Sequence, residues 1–294
     1  MYAAPFEFVA ISEWDEAVGF LEEHADEEPK VIAGGQSLVP IMNLRLAEPT
    51  HIVDINGVAA EEIRREGDVL VIPALTRHAA LETSSLLAED CPLLSEAASL
   101  IGNARVRHRG TIGGSLAHAD PSAELPCAAI ATDAGIVTVG PSGSRTIPAR
   151  EFFESYLTTS LGPSELVREV RIPVMPHATG WAFVEFVRRA GDFAVVEVAA
   201  IVEVETGSGE CRRAELVVGG VSDRPVRLEE AASLVGGLAT DASIRAAADR
   251  ARDLVEPPGS EYASSDHRRH LVGVLTQRAL SLALTRARER SGPT

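Results

Sequence analysis

The sequence predicts an α+β protein in two parts, and three observations predict it. Residues 1–174 alternate short apolar runs with short helical patterns around two Gly-Gly pairs. Pro173 and Pro176 then punctuate the chain. Beyond them come three consecutive strand patterns and two Ala- and Leu-rich helical stretches, the order of an antiparallel sheet covered by helices. A length of 294 residues accommodates about two domains. The reading places a first domain at 1–174, with subdomains of about 1–55 and 56–174, and a smaller domain at 175–294.

The elements follow in order. Ser12 is placed to cap a helix together with Asp15, after which Trp14, Ala17, Val18 and Leu21 share one face. KVIAGG reads as a strand entering the first glycine pair, and HIVDI and DVLVIPA read as further strands. Residues 78–83 and 92–101 read as short helices, the second opened by Pro92 at a favourable first position. ELPCAAIAT reads as a helix. GIVTVG, a PSGS turn and RTIPAREFF read as a hairpin. WAFVEFVRR, FAVVEVAAIVEVE and RAELVVGGV alternate in polarity and are rich in Val, so they read as strands. Residues 240–255 and 266–288 read as helices, and the tail RERSGPT as frayed.

Composition narrows the function. The net charge of −16 disfavours nucleic acid and anionic membrane as partners. No apolar run reaches the roughly 20 residues of a membrane span, and the start has no basic n-region or apolar h-region. Cys91, Cys127 and Cys211 are far apart, which supports neither a disulfide framework nor an iron–sulfur or zinc site. The histidines show no metal-ligand spacing; His108 and His118 read as polar loop residues. No acid–base constellation stands out.

The two glycine pairs carry the strongest signal. Gly34-Gly35 follows Val31, Ile32 and Ala33; Gly113-Gly114 lies about eighty residues later, between Thr111 and Ser115. Glycine admits φ > 0 and close backbone approach, and successive exposed N–H groups form a concave anion site. Small or hydroxylated residues flank both pairs, and no basic residue adjoins either. Two ordinary tight turns are one reading. A diphosphate held from two sides by backbone amides is the other. Neither the P-loop motif nor the Rossmann spacing is present.

AGGQSLVPIMNLRL, RVRHRGTIGGSLAHADPSAELP, RRAGDFAVVEVAA and DHRRHLVGVLTQRAL, taken in order, resemble the FAD-binding medium subunit of the molybdenum hydroxylases. That family includes the carbon monoxide dehydrogenase medium subunit and the flavin domain of xanthine dehydrogenase. The resemblance runs to about Leu284. It implies a two-part FAD-binding domain of the vanillyl-alcohol-oxidase type followed by an α+β C-terminal domain. It also implies an FAD site at Ile32, Ala33, Gly34, Gly35, Gln36, Ser37 and Leu38, with Ile101, Thr111, Ile112, Gly113, Gly114, Ser115, Asp120 and Glu124. A carboxylate accepts ribose hydroxyls well, and the resemblance favours Glu124 for that contact. Asp120, before Pro121, is as readily the start of a turn.

The resemblance further implies an electron relay in the cytoplasm, beside an iron–sulfur small subunit and a molybdopterin large subunit. The RRAGDFA corner would lie near the cofactor or a partner; an ordinary basic hairpin corner is the alternative. Relatives often carry Lys three residues before the arginine pair, where this chain has Glu185. Ser115 stands where relatives often have Asn or Asp, and Gln36 where some have His. Two other readings remain open at this stage: a stand-alone FAD oxidoreductase of the vanillyl-alcohol-oxidase type, and a scaffold relative that has lost flavin.

Overall fold

A computed structural model describes residues 2–292. The chain opens with β1 (Glu7–Ala10), α1 (Trp14–Glu23), β2 (Lys30–Ile32), α2 (Leu38–Asn43) and β3 (His51–Asp54). These strands form a parallel sheet in the order β1-β3-β2, with α1 as the crossover from β1 to β2. Ala17, Val18 and Leu21 of α1 are buried against Val53 and Ile55, as their spacing predicts. Ser12 does not cap this helix. Glu13 is the cap residue, without a side-chain bond, and the Ser12 N–H donates to Glu16 Oε2 at 3.5 Å. That bond reaches the residue before the cap, so no capping box is formed.

A second unit contains β4 (Arg64–Glu66), β5 (Val69–Pro73), α3 (His78–Thr83), α4 (Ser85–Asp90), α5 (Pro92–Leu100), α6 (Ala104–Arg109), α7 (Ile112–His118) and α8 (Glu124–Ala131). It continues with β6 (Gly135–Gly140), β7 (Gly143–Pro148), α9 (Ala149–Phe152), β8 (Phe153–Ser155), β9 (Thr158–Thr159) and β10 (Leu166–Pro173). Its main sheet is antiparallel in the order β4-β5-β10-β6-β7. The expected hairpin is β6–β7. Its second strand stops at Pro148, and AREF forms the single helical turn α9. The larger correction concerns Gly113-Gly114, which read as a turn and lies in the first turn of α7.

The third unit is β11 (Thr179–Phe186), β12 (Val196–Val204), β13 (Cys211–Gly219), β14 (Val226–Arg227), α10 (Asp241–Leu254) and α11 (Ser265–Arg290). Its sheet is antiparallel, in sequential strand order. One face takes α10 and α11: Ala182, Val198, Ala200 and Val202 join Leu275, Ala279 and Ala283. Gly180 permits this contact, since a Cβ there would lie 1.9 Å from the Ala283 carbonyl oxygen. The other face meets α8. Phe183, Ala199, Ile201 and Val217 belong to the same core as Leu125, Ala128 and Ala129. All eight residues of α8 are buried, so this helix joins the second and third units.

Candidate functional site

Strand β2 delivers the first glycine pair. Its partner β3 then turns at Asp54–Asn56 and braces that pair, as Asn56 Nδ2 donates to the Ala33 carbonyl at 2.8 Å. Gly35 has φ +70°, the left-handed region that glycine enters without a Cβ clash. Val39 N–H returns to Gly35 O and Ile41 N–H to Ser37 O, starting α2. The Ser37 side chain caps nothing. Among the described residues, the N–H groups of Gly34, Gly35, Gln36, Ser37 and Leu38 find no acceptor in the protein. Gly34 is buried, but Gly35, Ser37 and Leu38 are half-buried and Gln36 is exposed.

The second pair differs. Thr111 is 2% exposed and caps α7, accepting from Gly114 N at 3.2 Å. Ile112 N–H donates to Thr76 O at 3.0 Å, Gly113 N–H to Ala74 O at 2.9 Å, and Ser115 N–H to Thr111 O at 3.0 Å. The N–H groups of residues 112–115 therefore have acceptors within the protein. Gly113 is glycine because the start of α7 lies against Ala74, just past β5: a Cβ would fall 2.6 Å from Ala74 Cβ. The pair presents a wall with Gly114 exposed on it.

The first pair packs on the segment that leads into the second. A Cβ on Gly34 would lie 2.4 Å from Arg109 O and 2.7 Å from Gly110 Cα. Arg77 joins them from behind. It donates through Nη1 to Arg109 O at 2.5 Å and through Nη2 to Asn56 Oδ1 at 2.7 Å, and it forms an isolated bridge with Thr111. Asn56 and Arg77 also line a cavity of about 440 Å³ with Trp14, Leu75 and Arg168. Neither residue stood out in the sequence. Their bonds span 21 to 32 positions, beyond the reach of any local motif.

An acidic corner lies past the far end of α7, roughly 10 Å along its axis at 1.5 Å per residue for 7 residues. Asp120 Oδ1 accepts from Ser122 N at 2.9 Å, so Asp120 starts the turn. Glu124 is the first residue of α8 and is 5% exposed. Burial, with Glu185 and Asp120 adding to it, pushes its carboxyl up to about 8. Glu185 pairs with Glu197 across β11 and β12. Burial raises Glu185 to about 7. Glu197 is wholly buried with neither oxygen partnered, and burial beside Glu124 and Glu185 holds it protonated far above the ordinary carboxyl range. Gly219 makes room for it, as a Cβ there would lie 2.2 Å from Glu197 Oε1.

Ile101 is buried at the end of α5, and its carbonyl accepts from Arg107 Nη1 at 2.9 Å. The adjoining Gly102 receives the RRAGDF corner: Gly191, with φ +85°, would bring a Cβ to 2.8 Å from Gly102 O. At that corner Arg188 lies over the Tyr262 ring at 4.1 Å, with Phe193 and Tyr262 exposed. Ile101, the second glycine pair and the acidic corner thus follow one another along α5, α6, α7 and α8, and the first pair packs on Arg109–Gly110 between α6 and α7.

Residues 4–175 match the family described as "FAD binding domain in molybdopterin dehydrogenase", and residues 181–283 match "CO dehydrogenase flavoprotein C-terminal domain". The chain belongs to the molybdenum hydroxylase flavoproteins. It is 40% identical over 285 residues to 6-hydroxypseudooxynicotine dehydrogenase complex subunit alpha of Paenarthrobacter nicotinovorans, covering 96% of each chain. It is 36% identical over 283 residues to the carbon monoxide dehydrogenase medium chain of Hydrogenophaga pseudoflava, covering 96% of this chain and 98% of that one. A solved carbon monoxide dehydrogenase from the same organism, lacking the Mo-pyranopterin moiety, superposes with a TM-score of 0.94 over 97% of this chain and 99% of that chain. The α+β architecture, the oxidoreductase class and FAD as cofactor follow for this flavoprotein. The residues present fit a diphosphate-bearing cofactor: the first loop offers consecutive N–H donors without protein acceptors, and Gly35 takes the conformation that aligns them. Among the described residues no group of three or more His, Cys, Asp or Glu is placed to hold a metal. No helix among them is long and apolar enough to cross a membrane.

Proposed function

We propose that this chain is the electron-relay subunit of a cytoplasmic molybdenum hydroxylase, working beside an iron–sulfur chain and a molybdopterin chain. The observation that carries the reading is the open row of N–H groups at residues 34–38 on a chain of this family. Residues 1–174 hold FAD, and 175–294 cover it and contribute to docking. The first loop would hold the diphosphate, with Thr111, Ile112, Gly113, Gly114 and Ser115 as the opposing wall. Ile32, Ala33 and Leu38 would flank the cofactor, Ile101 would serve the flavin part, and Asp120 and Glu124 the adenosine part.

When bound, FAD accepts electrons singly and releases them in pairs. The protein's part is to bind and orient it. Backbone dipoles neutralise the diphosphate without a flexible side chain, which fixes the cofactor at small entropic cost. Burial lets Glu124 keep its proton to higher pH than an ordinary carboxyl, and in that form it can donate as well as accept a hydrogen bond. The exposed Phe193 and Tyr262 beside Ile101–Gly102 supply the apolar surface a partner needs. The relatives' names carry unrelated substrates, 6-hydroxypseudooxynicotine and carbon monoxide, which supports placing substrate chemistry on another chain.

Co-expression with candidate partner genes, pull-down through a tag on this chain, and assay of molybdenum, iron and flavin test the proposal. All three should co-purify in fixed ratio. A monodisperse FAD protein without metal that alone oxidises an organic substrate would contradict it.

A further inference from the structure

One continuous set of bonds spans the two glycine pairs. It runs from Ala33 O to Asn56 Nδ2, from Asn56 Oδ1 to Arg77 Nη2, and from Arg77 Nη1 to Arg109 O. Its ends are the residue before Gly34 and a residue two before Thr111. Arg109 O is also the atom against which Gly34 is packed. Asp54 Oδ1 accepts from both the N–H and the Nδ2 of Asn56, which fixes the amide's orientation.

Arg77 is an unusual residue for this work. The chain has 43 acidic and 27 basic side chains, and most of its arginines in contact with other side chains meet a carboxylate. Arg77 is half-buried and, among the described residues, makes no ion pair. Burial and the neighbouring Arg109 lower its affinity for its proton, against a weaker pull from Asp54. A guanidinium partly buried on a carbonyl and an amide oxygen has no neutralising carboxylate to offset its desolvation, but its planar fork fixes both acceptors in direction.

We infer that Arg77, acting through Asn56, is a positioning residue that sets the separation of the two glycine pairs and so the fit of a dinucleotide diphosphate between them. The inference rests on the reading that FAD lies across these loops. Loop 1 has no other side-chain tie to the second pair among the described bonds, apart from the packing of Gly34. Lysine keeps the charge and rotatable donors but lacks the rigid planar fork that fixes two directions at once, so it holds Arg109 O and Asn56 Oδ1 less firmly.

The test titrates the full-length apoprotein with FAD, with ADP, and with riboflavin. Wild-type protein that binds no FAD would sink the functional reading itself. With wild-type binding established, Arg77→Met should weaken both FAD and ADP by roughly tenfold to a hundredfold, as for a lost charged hydrogen bond. Riboflavin, which has no diphosphate, should bind as it does to wild type. Asn56→Ala should weaken FAD and ADP similarly, and the double variant should be no worse than Arg77→Met, since both break one chain of bonds. Arg77→Lys should recover part of the loss. FAD and ADP affinities within twofold of wild type in Arg77→Met would overturn the inference, as would fully additive losses in the double variant. Should Arg77→Met aggregate, Asn56→Ala alone decides: unchanged ADP affinity in that folded variant overturns it.

Discussion

The two Gly-Gly pairs are the same dipeptide put to opposite use. At Gly34-Gly35 the backbone enters the left-handed region and leaves consecutive N–H groups without protein acceptors. At Gly113-Gly114 the backbone is helical and its N–H groups already have partners in Ala74, Thr76 and Thr111. Gly35 is glycine for conformation, whereas Gly34 and Gly113 are glycine for space. A ligand therefore finds free donors on one side and a packed wall on the other. Backbone amides alone cannot grip a diphosphate equally from both sides here.

Substitutions can break this comparison. Gly113→Val should have the largest effect, because its Cβ would enter Ala74. Overpacking of this kind costs about 3 kcal/mol or more, roughly 6–12 °C in Tm. The loss should be the same with or without FAD in a thermal melt; a variant as stable as wild type would remove the packing role.

The acidic corner behind the wall gives the next effect. Glu124, Glu185 and Glu197 keep their protons to higher pH when folded than the ordinary carboxyl value near 4.5. The stability this contributes is present below that value and is lost as pH rises through about 7 to 8. Thermal melts of the apoprotein should show Tm falling by several degrees between pH 6 and 9. Glu197→Gln, which keeps the shape of the protonated acid, should flatten that fall. Parallel curves for the two proteins would contradict the assignment.

Gly35→Ala should act chiefly on binding. A non-glycine residue at φ +70° costs roughly 1–2 kcal/mol, and the new Cβ would press on Ile32 and Val39 at 3.1 and 3.2 Å. FAD affinity should fall about tenfold by flavin fluorescence titration, at roughly 1.4 kcal/mol per decade. Gly114→Ala should do least. Its Cβ meets only Thr111 Oγ1, at 2.9 Å, so FAD affinity should change less than in Gly35→Ala. The reverse ranking would mean the roles of the pairs are exchanged.

Much of this was legible beforehand where a period repeats. β12, β13 and α11 have long alternating or helical patterns, and α5 announces itself through Pro92. Of the short elements, β2, β3, β5 and α3 were read, but others were not. β1 has four residues, and β10 joins the sheet through pairing with β5 and β6 rather than through its own composition. α7 was misread because glycine disfavours helix by about 1 kcal/mol, yet packing on Ala74 admits nothing larger. Both glycine pairs could be found in the sequence, but not which one has free N–H groups, since the acceptors of residues 112 and 113 lie almost forty positions away, at Ala74 and Thr76 just past β5. Arg77 and Asn56 were invisible for the same reason.

Amide hydrogen exchange of the full-length chain, measured with and without FAD, tests the central claim most directly. The N–H groups of residues 34–38 should exchange fast in the apoprotein and become protected when FAD binds. Those of residues 112–115 should be protected in both states, because the protein already holds them. FAD binding that leaves 34–38 unprotected, or that newly protects 112–115 instead, would contradict the account.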